Sequence, residues 1–328
     1  EDNKKTFSLT LDAYDVTGNK TSVDVTVSTA NVDEAPERAD ATVSKTEGNG
    51  IETISLLSGA TDPEGSTVSM AASGISYSVD GVTVSGIPNY LQFLDADSSI
   101  RVDLNHEALN ALGAGQTKTI VMTYTIKDAG NHQTSTKTTL TITGTNDAPT
   151  LSSIATFTGE GGVEEDHYKD ITWQALKDAS NIADVDTAAN SLKFRITEIT
   201  TGTLQKQAAG SSIWVAVVID DPVTGYLASG ETLRWQGASN ANGTLNAFKV
   251  KAYDGALTSI GDPVQVKVDV SAVNDAPTLL AVIPTFTGAN GVEEDHYKDI
   301  TWQALKEASN IADVDTAANS LKFKITEI

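Results

Sequence analysis

FTGEGGVEEDHYKDITWQALKDASNIADVDTAANSLKFRITEI occupies residues 157–199, and residues 286–328 repeat it at an offset of 129. The copies differ at four of 43 positions, where the second carries Ala289, Asn290, Glu307 and Lys324. A period of this size marks one domain per repeat, because solenoid units run about 20 to 50 residues. Shorter punctuation keeps a similar beat. Asn31-Val32-Asp33-Glu34-Ala35-Pro36, Thr145-Asn146-Asp147-Ala148-Pro149 and Val273-Asn274-Asp275-Ala276-Pro277 each follow an alternating run, with prolines 113 and 128 residues apart. The chain therefore parses into a domain tail (1–36), two whole domains (37–149 and 150–277) and a domain head (278–328).

Period-two alternation dominates within each unit. Val264, Val266, Val268 and Val270 alternate with polar residues, as do Ile120, Met122, Tyr124 and Ile126, and likewise Val23, Val25 and Val27. One apolar face on such a run predicts a half-buried antiparallel strand. Turn signals such as Asp80-Gly81, Asp128-Ala129-Gly130-Asn131 and Asp254-Gly255 separate the runs. Two brief helical turns are expected, over 106–112 and 174–179. Strands at this density predict all-β sandwiches, with about seven strands in 150–277.

Composition narrows the partners. Asp plus Glu number 44 against 22 Lys plus Arg, for a net charge of −22 in 328 residues. That balance argues against nucleic acid and anionic membrane surfaces, which need a basic footprint. No apolar run approaches the roughly 18 to 20 residues of a membrane span, so no membrane insertion is expected here. The absence of cysteine excludes disulfides and thiolate metal sites. The ends fall mid-strand without a signal-peptide pattern, and this predicts a piece of a longer chain.

The carboxylates gather where strands end. In 150–277, Glu164, Glu165 and Asp166 stand near the start, Asp184 and Asp186 flank Val185, and Asp254 opens a turn. Asn274 and Asp275 occupy the exit linker. Such hard oxygen donors suit calcium, which takes 6 to 8 oxygens in adaptable geometry, better than magnesium. Without a cation, clustered carboxylates repel one another. The bland alternative is a solvated acidic face, with Asn-Asp before Ala-Pro acting only as a turn signal.

These segments resemble a known family. Ala183-Asp184-Val185-Asp186 through Asn190-Ser191-Leu192-Lys193-Phe194 is similar to the DxD-plus-Asn segment of cadherin repeats. Ala252-Tyr253-Asp254-Gly255 resembles their AxDxG element, and Val273-Asn274-Asp275-Ala276-Pro277 their linker. The stretch from Leu109 to Pro149 resembles a VCBS-type repeat of giant bacterial surface adhesins secreted by the type I (RTX) route. The resemblance implies tandem Ig-like or cadherin-like β-sandwiches in a linear array, with calcium at the junctions. It implies an extracellular place on a bacterial cell surface and a part in adhesion or biofilm formation. Expected partners are neighbouring repeats of the same chain, and host or matrix glycans or proteins through other domains.

The implied ligands fall into three sets. Around Pro36 they are Asn31, Asp33, Glu34, Asp62, Glu64 and Asp128. Around Pro149 they are Glu47, Glu107, Asn146, Asp147, Asp184, Asp186 and Asp254. Around Pro277 they are Glu165 (or Glu164), Asn274, Asp275, Asp313 and Asp315. Leu104-Asn105-His106-Glu107 departs from the family's LDRE, and Asp62-Pro63-Glu64 replaces DxD.

No enzyme motif competes. HExxH, G-x-S-x-G and the phosphate-cradling loop are all missing. The duplicated His167 and His296 read as surface or junction groups, and Trp173, Trp214, Trp235 and Trp302 as core. Two functions remain: a calcium-stiffened extender, or a glycan- or peptide-binding module in 37–149 centred on Gly74 to Ser99. A self-assembling fibre joining 278–328 to a neighbour's 1–36 is a further alternative.

Overall fold

A computed structural model describes residues 5–279, 282–286, 294, 296–297, 299 and 300–327. The chain divides into two compact units, residues 1–147 with 185–187, and residues 148–184 with 188–328. Among the described residues no helix is long and apolar enough to cross a membrane.

The first unit opens with a hairpin, β1 (Thr6–Tyr14) and β2 (Lys20–Ser28), in the register Phe7↔Val27, Leu9↔Val25, Leu11↔Val23. The strands after it are β3 (Ala41–Thr46), β4 (Ile51–Ser55), β5 (Ser69–Val79), β6 (Val82–Val84), β7 (Leu91–Leu94) and β8 (Ser99–Asp103). Then come α1 (Glu107–Asn110), β9 (Thr117–Lys127) and β10 (Gln133–Thr143). They form two sheets, β3-β10-β9-β5-β6 and β4-β8-β7. Ile120, Met122, Tyr124 and Ile126 of β9 pack with Ile54, Ile100 and Val102 of the facing sheet in one apolar core. Each such side chain, fully buried, contributes about 1.5–3 kcal/mol. The Tyr124 hydroxyl donates to Leu56 O at 2.7 Å, so this buried polar atom is satisfied.

The second unit repeats the plan. Its strands are β11 (Val163–Glu164), β12 (Lys169–Thr172), β13 (Lys193–Ile199), β14 (Thr203–Gln207) and β15 (Trp214–Ala216). They continue as β16 (Tyr226–Leu227), β17 (Thr232–Gln236), β18 (Gly243–Tyr253) and β19 (Val264–Ser271). The sheets are β11-β19-β18-β13-β16 and β12-β17-β14-β15. Phe194, Phe248, Val250 and Val268 from one sheet meet Ile171, Leu233 and Trp235 from the other. Nine strands stand in 150–277 where about seven were expected, and three of them, β11, β15 and β16, are only two or three residues long. Helices α2 (Trp173–Asp178) and α3 (Trp302–Ser309) start from Thr172 and Thr301, whose hydroxyls accept Ala175 N and Ala304 N.

Two departures from the sequence reading matter. The first is parallel pairing: β3 runs parallel to β10, and β11 parallel to β19, although alternation suggested antiparallel strands throughout. Parallel pairing carries the residue after each short strand to the exit of the last strand. The second concerns Val23, Val25 and Val27, expected half-buried, which are 57%, 37% and 45% exposed. Among the described residues no second sheet covers that face.

Candidate metal centres

Glu47 follows β3 and Glu165 follows β11, and both are buried, 4% exposed. Each is anchored in the same way. Glu47 N donates to Thr143 O at 3.1 Å and Glu165 N to Ser271 O at 2.9 Å, extending the parallel ladders. Their carboxylates then accept linker amides, Glu47 Oε1 from Thr145 N and Glu165 Oε1 from Val273 N. Glu47 Oε2 is buried with no hydrogen-bond partner. An ionised oxygen in that state is costly unless something positive meets it.

The linkers repeat one geometry around their prolines. Two residues before each proline, the backbone N–H donates to the second acid of an Asp-x-Asp or Asp-x-Glu pair. Glu34 N donates to Glu64 Oε2 at 3.1 Å, Asp147 N to Asp186 Oδ2 at 3.3 Å, and Asp275 N to Asp315 Oδ2 at 2.7 Å. One residue after each proline, the chain forms a β-bridge to the residue before the pair: Glu37↔Thr61, Thr150↔Ala183 and Thr278↔Ala312. Asn146 and Asn274 each donate Nδ2 to the next residue's carbonyl at 2.9 Å. The first acid of the pair closes a local turn, with Asp62 Oδ1 accepting Ser66 N at 2.9 Å and Asp313 Oδ1 accepting Thr316 N at 2.7 Å. Asp62-Pro63-Glu64 thus takes the place of an Asp-x-Asp pair in geometry as well as in spacing.

Around Pro277, ligand oxygens of Glu165, Asp275 and Asp315 lie within 4.8 Å of one another. Burial, and then the charges of Asp315, Asp166, Glu165 and Asp313, push the Asp275 carboxyl above its ordinary range. Every charge in that set is negative. Asn240 and Asn242 complete the surroundings and were not anticipated from the sequence. Asn242 Nδ2 donates to Glu165 Oε2 at 3.2 Å. Asn240, with its amide nitrogen facing the acids, donates to Asp166 Oδ2 and Asp275 Oδ2, each at 3.2 Å. The Asn-Ala-Asn run at 240–242 lies in a turn between strands, and its polarity was the sole sequence signal.

Around Pro36, Asp33 and Asp128 converge on His132, which the sequence reading also missed. The His132 Nδ1 lies 3.2 Å from Asp33 Oδ2 and 3.1 Å from Asp128 Oδ2. Burial opposes ionisation of Asp128, but hydrogen bonds from the His132 ring and backbone prevail and hold its carboxyl below the usual range. The Asp128 hydrogen bond, aided by the Asp128 and Asp33 charges, raises the imidazole above its ordinary value against the opposing effect of burial. Asp62 Oδ2 and Glu64 Oε1, on the segment that receives Glu34, are buried with no hydrogen-bond donor.

Of the Pro149 set, Glu47, Asn146, Asp147 and Asp186 fall in the first unit, and Asp184 and Asp254 in the second. Asp254 follows β18 as Asp128 follows β9, and its Oδ1 accepts Ala256 N and Leu257 N at 2.6 and 2.7 Å. Glu107 stands exposed on the first turn of α1. Among the described contacts neither it nor Asn31 joins a carboxylate of its set. His167 is exposed, with Nδ1 3.0 Å from Glu165 O, which fits the surface alternative of the expected surface or junction group. Trp173 and Trp235 are core, as expected, but Trp214 is half-buried beneath the Arg234 guanidinium at 4.0 Å.

No protein family and no curated protein sequence matches this chain. Among solved structures, PcdhgB3 EC1-4 aligns at 13% identity over 85% of this chain and 60% of that one, with a TM-score of 0.43. Protocadherin Gamma B2 extracellular cadherin domains 1-5 align at 13% identity over 86% and 48%, with a TM-score of 0.40. Human CDH23 EC21-23 aligns at 14% identity over 81% and 74%, with a TM-score of 0.38. The chain thus spans 60% and 48% of the lengths of the first two. Likeness at this level bears on no ligand or partner of this chain.

Proposed function

We propose that this chain is a calcium-binding extender segment of an extracellular bacterial surface adhesin. In this reading residues 37–149 and 150–277 are whole domains flanked by parts of two others, and neighbouring repeats are the principal partners. The observation that carries the reading is the Glu165, Asp275 and Asp315 group. It brings oxygens from three separate segments within 4.8 Å, in surroundings that disfavour a further negative charge. The buried, partnerless Glu47 Oε2 supports the same conclusion at Pro149. Hard oxygen donors from loops and linkers fit calcium. Glu34, Asp62, Glu64, Asp33 and Asp128 would hold the ion at Pro36. Glu47, Asn146, Asp147, Asp184, Asp186 and Asp254 would hold it at Pro149, and Glu165, Asn274, Asp275, Asp313 and Asp315 at Pro277. Isothermal titration of the metal-stripped chain with calcium, and separately with magnesium, tests the proposal. Saturable calcium binding that Glu165→Gln and Asp315→Asn weaken is expected; an absence of calcium heat would overturn it.

A second reading is favoured by a cavity of about 650 Å3 lined by Met70, Ile75, Tyr77, Leu91, Phe93 and Lys127. It lies in the Gly74 to Ser99 region, where a β-bulge interrupts the pairing of β5 with β9 between Met70 and Ile75. Its volume falls in the usual range for a small-ligand site. Saturable binding of a glycan or peptide by the full chain, lost in Phe93→Ala, would make residues 37–149 a recognition module.

A further inference from the structure

The turn between β9 and β10 carries a nitrogen donor that an oxygen-coordinated calcium site does not use. We infer that Asp33, Asp128 and His132 form a binding site for a borderline-soft divalent metal of the zinc class. Imidazole suits zinc, copper and nickel, whereas calcium selects oxygen. The spacing is close to what a metal needs. A tetrahedral zinc with bonds of about 2.0–2.2 Å sets neighbouring donor atoms about 3.3–3.6 Å apart, slightly wider than the present hydrogen-bonded contacts. His132 Nδ1 stands 3.1 Å from Asp128 Oδ2 and 3.2 Å from Asp33 Oδ2, and the three donors lie within 4.8 Å of one another.

Other features of the same pole point the same way. A Cβ at Gly130 would meet Asp33 Oδ2 at 2.2 Å and His132 Nδ1 at 3.1 Å, so glycine there lets the linker acid approach the ring. The Asp128 side chain is wholly buried, while those of Asp33 and His132 are each 47% exposed. The triad is therefore anchored on one side and open to an entering ion on the other. Asp62 Oδ2 and Glu64 Oε1, between β4 and β5 on the segment that receives Glu34, the residue after Asp33, are buried without a hydrogen-bond partner. The counterpart turn after β18, Asp254 to Leu257, contains no imidazole.

The inference shares Asp33 and Asp128 with the calcium reading, so its test must separate the two. The metal-stripped full chain is titrated with zinc against a chromophoric chelator while imidazole resonances of the four histidines are followed by NMR. At one equivalent, His132 alone is expected to shift. His132→Gln should lose about tenfold or more in zinc affinity, at least the loss seen when a supporting partner of a metal ligand is removed. Its calcium affinity should fall by less than its zinc affinity, because calcium takes the carboxylate oxygens and not the imidazole. An unmoved His132 resonance in the unsubstituted chain, a response at His106, His167 or His296 instead, or undiminished zinc affinity in His132→Gln would overturn the proposal. A zinc response at His132 without any calcium binding would sink the calcium reading alone.

Discussion

Asp275 is a carboxyl whose folded environment resists ionisation, through burial first and the charges of Asp315, Asp166, Glu165 and Asp313 next. A group whose folded pKa lies above its unfolded value stabilises the fold below the unfolded pKa, and that contribution disappears as pH rises through the folded value. The ion-free chain should therefore lose stability around this junction as pH climbs from the acid carboxylate range towards neutrality. Asp275→Asn should flatten the dependence, and calcium should reverse it. Thermal melts of parent and variant at several pH values, with chelator and with calcium, check this; an identical pH slope in parent and Asp275→Asn would refute it. Tyr124 gives a contrasting case in the core. Its hydroxyl serves Leu56 O at 2.7 Å and Thr138 Oγ1 at 2.9 Å, so Tyr124→Phe strands the buried Leu56 O and leaves Thr138 Oγ1 to the Arg38 guanidinium. The expected cost is about 1–3 kcal/mol in denaturant melts, with calcium affinity unchanged.

At the scale of elements, nearly identical text gives different structure in its two copies. Trp173 Nε1 donates to Leu192 O at 3.0 Å and Trp302 Nε1 to Leu321 O at 3.2 Å, and both helices begin at a threonine cap. Yet Lys193–Ile199 is strand β13 between β18 and β16, whereas 322–327 forms no strand. Helix and cap are local properties, and a strand needs a partner. The β1–β2 hairpin extends the same point: its register is regular, but its apolar face is open, with Phe7, Leu9 and Leu11 each more than half exposed. Hydrogen exchange of the amides in Thr6–Ser28 should be faster than in β9 and β10, and equal protection would mean that something covers the face. Lys206 tests the opposite condition. It is buried and bonded to Glu231 and to the carbonyls of Val223 and Tyr226. Lys206→Met should cost about 3–5 kcal/mol by leaving these groups uncompensated, and adding Glu231→Leu should recover part of that loss. The all-β class, the turns and the acidic pairs were legible because they depend on spacing of two to four residues. The parallel β3 and β11 pairings, His132, Asn240 and Asn242 were not legible, because each acquires its role from contacts made through the fold.

For the molecule as a whole, the mechanical consequence follows from charge. A net charge of −22 places self-repulsion on the chain, and the acidic linkers concentrate it at the prolines. Domains joined by short polar linkers move relative to one another by default. At Pro277, a cation held jointly by Asp275 of the linker, the buried Glu165 and Asp315 would replace that repulsion with shared bonds. Extracellular modules hold calcium at roughly 10⁻⁴ to 10⁻³ M, weak enough for release when the ion is scarce. At a free concentration of about 100 times the dissociation constant, one site adds roughly 2.7 kcal/mol to the bound state. Small-angle scattering with calcium should therefore give a longer, better-defined maximum dimension than with chelator. Asp184→Ala combined with Asp186→Ala should broaden the distance distribution in calcium while residues 37–149 stay folded by circular dichroism and melting. Glu47→Gln should behave likewise, since it keeps an acceptor for Thr145 but removes the buried negative charge. Magnesium, which holds to a stricter octahedron and gives up its water reluctantly, should restore neither dimension nor melting temperature in full. If scattering curves with calcium and with chelator superimpose, the ion does not stiffen the array, even if titration shows that it binds.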